Sequence, residues 1–486
     1  MSPKRLLPLV GILLVLGLLA VWLKRQPPSS QLAEEVGLVR LVPSTFRAEA
    51  VSGVDLALGS APQDVLRLRK RDGTWWIPSR FDAPANSMKM QQLLTQVSDL
   101  QGELRAESAE LLEDFRLKDE QALHLKVYLE NAETPALSLL AGKSSGSNGF
   151  MRRSGENRVY AVNLNVQALA GVSSSTPESS LSAKPWLELR LQNVPKEQVS
   201  AVELQAPARV LHFTTVPAEA GPGSTPMWKL QTPALPYPVK SEAVDSLVTT
   251  LRTLQGDDVV DPALAASYGL DAPTHRAVLT VQASGQEAKP VAILFGTEVP
   301  EKSGSRYVRL STGGPVYIVP EWTWKRLFPM LGTLLDLRLL QASEADVMRL
   351  TVQHDGATWE VARDGTEASA PWRFVGQTEA TLDETALRAL LGIVTQLTAE
   401  DLPATLPAES GLEQPTLQLT LTLRDGRTAS VSLGQPVAPE GGGFYASRGE
   451  ASEVVILAAT TQRTLLDAVT KLQPGAAASG QDTTRP

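Results

Sequence analysis

The segment Gly142-Lys143-Ser144-Ser145-Gly146 has the spacing of a Gly-x-Ser-x-Gly nucleophile elbow, whose serine would attack an acyl carbon, and its start also looks like the end of a phosphate-binding loop. An elbow needs a strand that turns directly into a helix. Here the segment leads through Ser147-Asn148-Gly149 into another strand, and Leu137 stands where a phosphate loop needs its upstream glycine. It therefore reads as a loop at a strand end. The four histidines, His124, His212, His275 and His354, are scattered, whereas a zinc centre wants two or three converging with a carboxylate. Asp257, Asp258 and Asp261 are the densest carboxylate group. Pro262 follows them and no glycine-spaced calcium loop surrounds them, so they read as a solvated turn after a helix. With no cysteine in the chain, disulfides, thiol nucleophiles, thiolate zinc sites and iron–sulfur clusters are all excluded. No catalytic residue, metal ligand or cofactor is assigned.

The aromatic residues offer recognition in place of chemistry. Trp75 with Trp76, Trp322 with Trp324, and Tyr237 are suited to stack on a sugar or fill a partner's groove. Three tryptophans instead recur in register. Trp76, Trp228 and Trp372 lie 20, 24 and 22 residues after Leu56, Leu204 and Leu350, and Leu117, Leu270 and Leu412 follow them by 41, 42 and 40. Recurrence at one repeat position predicts core packing for these six residues. Trp322 and Trp324 begin a helix and are not repeated, which leaves them as the candidate partner contact.

The elements that position these residues repeat with a period of roughly 145 residues, which is domain-sized. We read three tandem repeat domains, 51–191, 192–340 and 341–473, each of the α+β class with a mostly antiparallel sheet and two helices. Each opens with two strands of period two: 51–58 with 65–70, 199–204 with 210–216, and 347–352 with 358–362. The tryptophan strand follows. A helix comes next, with apolar residues at 3.6 spacing: Met90, Leu93, Leu94, Val97 and Leu100; Val244, Leu247, Val248, Leu251 and Leu254; Leu387, Leu390, Leu391, Val394 and Leu397. Ser87, Ser241 and Asp383 are the expected N-caps. Two further strand pairs and a closing helix complete each unit, the helix spanning 165–169, 321–331 and 461–472. The phrase Leu187-Glu188-Leu189-Arg190-Leu191 returns as Leu335-Asp336-Leu337-Arg338-Leu339 with almost no spacer before the next copy.

The first 25 residues read as a membrane anchor. From Leu6 to Leu23 there are 18 residues without a charge, long enough to span a bilayer core. A cleaved signal peptide would show a small-x-small site, and Ala20-Val21-Trp22-Leu23 stands in its place. Lys4 and Arg5 before the run nearly balance Lys24 and Arg25 after it, favouring a cytoplasmic N-terminus only weakly. Residues 26–50 read as a tether with one strand or turn near Leu38–Val42, and 173–180 and 474–486 as a flexible loop and a disordered tail. Outside the anchor the chain carries 41 Lys+Arg against 53 Asp+Glu, which argues against nucleic acid as a partner.

Together these residues resemble the bacterial domain-of-unknown-function family 4340. The second copy carries the likeness best, through Trp228, Tyr268-Gly269-Leu270, Leu294-Phe295-Gly296, Tyr307-Val308-Arg309, Val316-Tyr317 and Leu335-Asp336-Leu337-Arg338. Arg116 replaces the turn glycine in the first copy, and the third lacks the Tyr-Val-Arg arginine, with Ala446 nearby. The resemblance implies a membrane-anchored envelope protein encoded beside ABC-type transporter subunits similar to those of gliding motility, and it brings no activity. The expected function is a non-enzymatic scaffold or accessory subunit of such a transporter, single-pass in the bacterial inner membrane, with its repeats in the periplasm or outside the cell. Its partners would be the membrane and ABC transporter subunits. A glycan- or peptide-binding module is the alternative, and a hydrolase the least supported reading.

Overall fold

The structure, a computed structural model, describes residues 37–474 except 131, 173–180, 217–226, 284, 341, 378–379, 406–408, 438–441 and 450–452. The expected anchor over 1–25, the 173–180 loop and the tail from 475 onward lie outside the described residues. Among the described residues no helix is long and apolar enough to cross a membrane.

Period-two alternation yields three sheets, each with one apolar face. The first holds β1 (Leu38–Arg40), β2 (Val51–Leu58), β3 (Ala61–Arg71), β4 (Thr74–Ile77), β5 (Ala83–Pro84), β6 (Gln101–Ala106), β7 (Leu123–Leu129), β8 (Leu137–Ser145), β9 (Asn148–Arg153) and β10 (Val159–Val162), ordered β1-β6-β10-β9-β8-β7-β2-β3-β4-β5. The second holds β11 (Val199–Ala206), β12 (Arg209–Val216), β13 (Met227–Thr232), β14 (Asp258–Val260), β15 (His275–Val281), β16 (Lys289–Val299), β17 (Lys302–Leu310) and β18 (Val316–Val319), ordered β13-β12-β11-β15-β16-β17-β18-β14. The third holds β19 (Val347–His354), β20 (Ala357–Arg363), β21 (Trp372–Phe374), β22 (Leu417–Leu423), β23 (Thr428–Pro436), β24 (Phe444–Arg448) and β25 (Glu453–Leu457), ordered β21-β20-β19-β22-β23-β24-β25. One seven-strand plan underlies all three: third, second, first, fourth, fifth, sixth, seventh, mostly antiparallel. Short turns enforce it. At Asp72-Gly73 and Asp355-Gly356 both residues have positive φ, as a two-residue hairpin loop with the strands' own twist requires.

A helix fills the gap between third and fourth strands in each copy: α1 (Ser87–Ser98), α3 (Ser241–Arg252) and α6 (Glu384–Thr395). Their buried faces are those the 3.6 spacing predicts, for example Met90, Leu93, Leu94 and Val97 on α1. Two expected caps shift by one residue. Asn86, whose side chain accepts from Lys89 N, caps α1; Lys240 precedes α3 without a capping side-chain bond, and Ser241 Oγ accepts from Trp228 N instead. Asp383 caps α6 as expected, accepting from Thr385 N and Ala386 N. The closing helices are α2 (Val166–Ala170), α4 (Glu321–Leu327) with α5 (Leu331–Leu334), and α7 (Ala459–Leu472). Among the described residues the second copy thus has three α-helices, not two. Pro329, with no N–H and a fixed φ, lies at the break.

The chain divides into two compact units, the first of the described residues to 190 with 256–264 and 315–317, the second of 191–255, 265–314 and 318–474. The expected tether is in part structure. Residues 37–50 contribute β1 and bury Leu41, Val42 and Phe46, apolar positions whose irregular spacing hid them.

The Leu-x-Leu phrases are straps with two pairing edges. In the second unit, Asp336 N donates to Pro238 O (2.8 Å), Lys240 N to Leu334 O (2.8 Å), Leu339 N to Leu397 O (2.9 Å) and Ala399 N to Leu337 O (3.0 Å). One edge therefore pairs with the segment before α3 and the other with the segment after α6. The phrase at 187–191 makes the corresponding bonds: Glu188 N to Pro84 O (2.8 Å), Asn86 N to Trp186 O (2.7 Å) and Gly256 N to Leu189 O (2.8 Å) in the first unit, Leu191 N to Leu254 O (2.8 Å) in the second. Even β1 fits the scheme, since Leu41 N donates to Leu100 O (3.0 Å).

Candidate functional site

The residues that recur in all three copies build one packing device. A turn, Phe115-Arg116-Leu117, Tyr268-Gly269-Leu270 or Ser410-Gly411-Leu412, has its middle residue at φ 52°, 70° and 70°. A glycine on the fifth strand, Gly142, Gly296 or Gly434, lies under it so closely that a Cβ would stand far inside the carbonyl oxygen of Phe115, Tyr268 or Ser410. The next residue donates its N–H to that same carbonyl: Lys143 to Phe115 (2.8 Å), Thr297 to Tyr268 (2.8 Å), Gln435 to Ser410 (2.7 Å). These glycines mark close approach of two backbones, not flexibility. Leu117 and Leu270 are fully buried beneath the turn, and Leu412 is half-buried. Gly142 thus belongs to this contact, and the 142–146 segment runs through the β8–β9 hairpin, not into a helix.

The arginine of the sixth strand clamps the turn from the side. Arg152, 4% exposed, donates from Nε to Leu117 O (2.7 Å) and pairs with Asp119; Arg309 pairs with Asp271 (3.0 Å) and reaches Leu270 O (3.5 Å). Register places Ser447, opposite Ser432, at the same point of the third copy, as Arg152 is opposite Leu140 and Arg309 opposite Leu294. The arginine is structural. Its loss in the third copy removes a clamp.

Register also corrects the tryptophan repeat by one residue in the first copy. Trp228 opposes Thr215 and Trp372 opposes Arg363, each two residues beyond the pairs Val202–Phe213 and Leu350–Val361 of the opening hairpins. In the first copy that place, two beyond the pair Val54–Leu68, is opposite Lys70 and is held by Trp75, not Trp76. Trp75 and Trp228 are each 6% exposed. Trp76, on the opposite face of its strand, is half-buried under Arg71, and Trp372 is half-buried with Arg363 4.7 Å from its ring. Strand alternation separates Trp75 from Trp76, which spacing alone could not.

The two tryptophans of α4 part company. Thr323 and Leu327 form its buried edge; Trp324 is half-buried in an aromatic cluster with His275 (4.6 Å between centroids), Phe295 (5.6 Å) and Phe328 (4.6 Å). Arg306 lies 4.6 Å from its ring, a cation–π contact. Burial, then the nearby Arg306 charge, holds the His275 pKa below the usual histidine value, so the cluster favours a neutral imidazole. Next to it Tyr268 and Tyr307 stack at 4.1 Å. Trp322 is 65% exposed, with Arg326 6.0 Å from its ring and Met330 also exposed, so only Trp322 of the expected contact pair is largely open to solvent.

The carboxylates after α3 do not converge. Asp258 pairs with Arg80 (2.7 Å), Asp257 with Lys184 (2.9 Å), and Asp261 caps Ala263 N (2.9 Å). Among the described residues no group of three or more His, Cys, Asp or Glu is placed to hold a metal ion. The first unit also has an open cleft of about 790 Å³ between α1 and α2, lined by amides: Asn86, Gln92, Gln96, Asn163 and Asn165, with Lys89. Burial lowers the Lys89 pKa, and its ammonium lies 4.6 Å from the Trp186 ring.

Three segments, 75–222, 228–371 and 372–472, match the family described as domain of unknown function DUF4340. They start at the three tryptophans that the strand register makes equivalent. No curated protein and no solved structure matches the chain. The chain belongs to the DUF4340 family, in three tandem copies.

Proposed function

We propose that this DUF4340 protein is a non-enzymatic scaffold or accessory subunit of the bacterial envelope, held in the inner membrane by residues 1–25, with its three repeats in the periplasm or outside the cell, and that its partners are subunits of an ABC-type transporter or a related complex. One observation carries the reading. What the three copies hold in common is packing: the glycine beneath the turn, the leucine that follows it, the tryptophan strand and the helix face. The polar residues do not keep their places, as Arg152 and Arg309 give way to Ser447, and the histidines occupy different positions. A domain copied for its surfaces needs only its core preserved.

Gentle solubilisation of native membranes after brief crosslinking, followed by affinity purification of the full-length protein, tests this. Stoichiometric recovery of transporter ATPase and permease subunits is the expected result; recovery of the protein alone overturns it. The amide-lined cleft favours a second reading, a glycan- or peptide-binding module, because the exposed amides of Gln92, Gln96 and Asn163 offer both donors and acceptors to a neutral ligand.

A further inference from the structure

The straps give each copy an accepting segment just before its first long helix, and two of the three are filled. Ala85 bridges Leu187 and Val239 bridges Leu335, both antiparallel. Each bridge is flanked by the same pair of backbone bonds, from the strap to the carbonyl of Pro84 or Pro238 and from the N-cap residue, Asn86 or Lys240, back to the strap. In the third copy the residue before the N-cap Asp383 is Leu382, so Thr381 O and Asp383 N are the equivalent groups. Among the described residues neither has a backbone partner. Thr381 and Asp383 are exposed and Leu382 is half-buried. Residues 473–486 contain no Leu, Ile, Val or Phe, so they lack the alternation of a strap.

We infer that residues 381–383 form a strand-addition site for an extended segment of a partner protein, read as apolar-apolar-x-Leu. The chain's own straps, Trp186-Leu187-Glu188-Leu189 and Leu334-Leu335-Asp336-Leu337, show what such a segment takes. Main-chain bonds supply the attachment and alternate side chains the selection. Charge sets x. The filled acceptors have Asn86 and Lys240 at the N-cap, whereas the third has Asp383, so the partner's x is a basic residue rather than the acid of the internal straps. The inference deepens the accessory-subunit reading and rests on it only for the identity of the partner, since the test below involves no transporter.

The experiment titrates full-length protein in detergent with a labelled synthetic peptide of residues 333–339 carrying Asp336→Lys. The internal straps are held at high effective concentration and are not displaced by a free peptide. Saturable binding is expected, about two- to fivefold weaker for the peptide with the native aspartate and at least about tenfold weaker to Leu382→Asp protein that retains its circular dichroism. Asp383→Asn is a second variant, which keeps the cap and the N–H; it should bind both peptides, with the charge preference erased. Absence of binding, or binding unchanged by Leu382→Asp, overturns the site. Self-association of the protein without peptide, abolished by Leu382→Asp, overturns the partner reading in favour of a second copy.

Discussion

Glycine to alanine is the same chemical change at Gly392 and Gly434, yet within one copy it should have opposite effects. Gly392 lies inside α6, where an added Cβ meets nothing within 4 Å. Removing a helical glycine there should stabilise by about 0.5–1 kcal/mol, because alanine has less backbone freedom to lose on folding. At Gly434 the new Cβ would overlap Ser410 O and approach Leu412 Cδ2 to 3.2 Å. Moving strand and turn apart costs about 1–3 kcal/mol in overpacking, and stretching the Gln435 N to Ser410 O bond, now 2.7 Å, costs about 1 kcal/mol more. The same entropic gain offsets part of this, leaving a loss of about 1–3.5 kcal/mol. A chain of several units does not unfold as one transition, so the assay is native-state hydrogen exchange on β22 and β23, which reads the local opening free energy. Protection should fall by about 5- to 400-fold in Gly434→Ala and rise by about two- to fivefold in Gly392→Ala. Equal effects of the two substitutions, or unchanged protection in Gly434→Ala, would refute the close-approach argument.

Arg116 is the first copy's non-glycine at the turn, exposed and at φ 52°, so Arg116→Gly should stabilise that copy by about 0.5–1 kcal/mol in local exchange, relief of left-handed strain exceeding the added chain entropy. Arg152→Ala should cost about 1–3 kcal/mol and expose β7 to β9 to proteolysis, since it leaves Leu117 O without its buried donor while the exposed Asp119 stays solvated; indifference to the change would show that the clamp is idle. Tyr237 is pushed up to about 12 by burial and then by Glu453, which accepts its hydroxyl proton. The fold holds this proton more tightly than the unfolded chain, so the stability it contributes is full below pH about 10 and declines as pH rises toward 12. Tyrosinate absorbance of native protein should lose a late-titrating group in Tyr237→Phe. For His275 the sign is reversed: its pKa is depressed, so the contribution is full above about pH 6.5 and is lost as pH falls through the lower folded value, which an NMR titration of its ring protons would show.

Element types were legible because each copy alternates cleanly between period two and 3.6: the buried positions of α1, α3 and α6 follow from apolar spacing alone. What went astray lies at one-residue resolution. Ser87 and Ser241 have cap chemistry, but the helix starts at those residues, and Asn86 or Lys240 precedes them. Trp76 matched the tryptophan period as well as Trp75 did, because a one-residue slip barely alters a spacing that already varies between copies, while it moves the side chain to the other face of the strand. Trp322 and Trp324 were indistinguishable in sequence for a different reason: besides the nearby Phe328, the ring partners of Trp324, His275 and Phe295, come from β15 and β16, far away along the chain.

The straps show why a phrase can be plain in sequence and its role hidden. Leu187–Leu191 and Leu335–Leu339 repeat almost letter for letter, and alternation marks them as extended chain. Their pairing, however, is divided between two segments, one ahead of a helix and one behind the next, and neither segment is apolar enough to announce a strand. Ala85 and Val239 each make one isolated bridge, so no hairpin turn or ladder fixes the register. Among the described residues only Leu38-Val39-Arg40 has a full strand partner, β6, and there the phrase is degraded to the point that it reads as tether. Specification by backbone bonds, with a leucine on either side and little else required, lets the phrase be copied between positions. By the same logic it would also let a different protein supply it at Leu382.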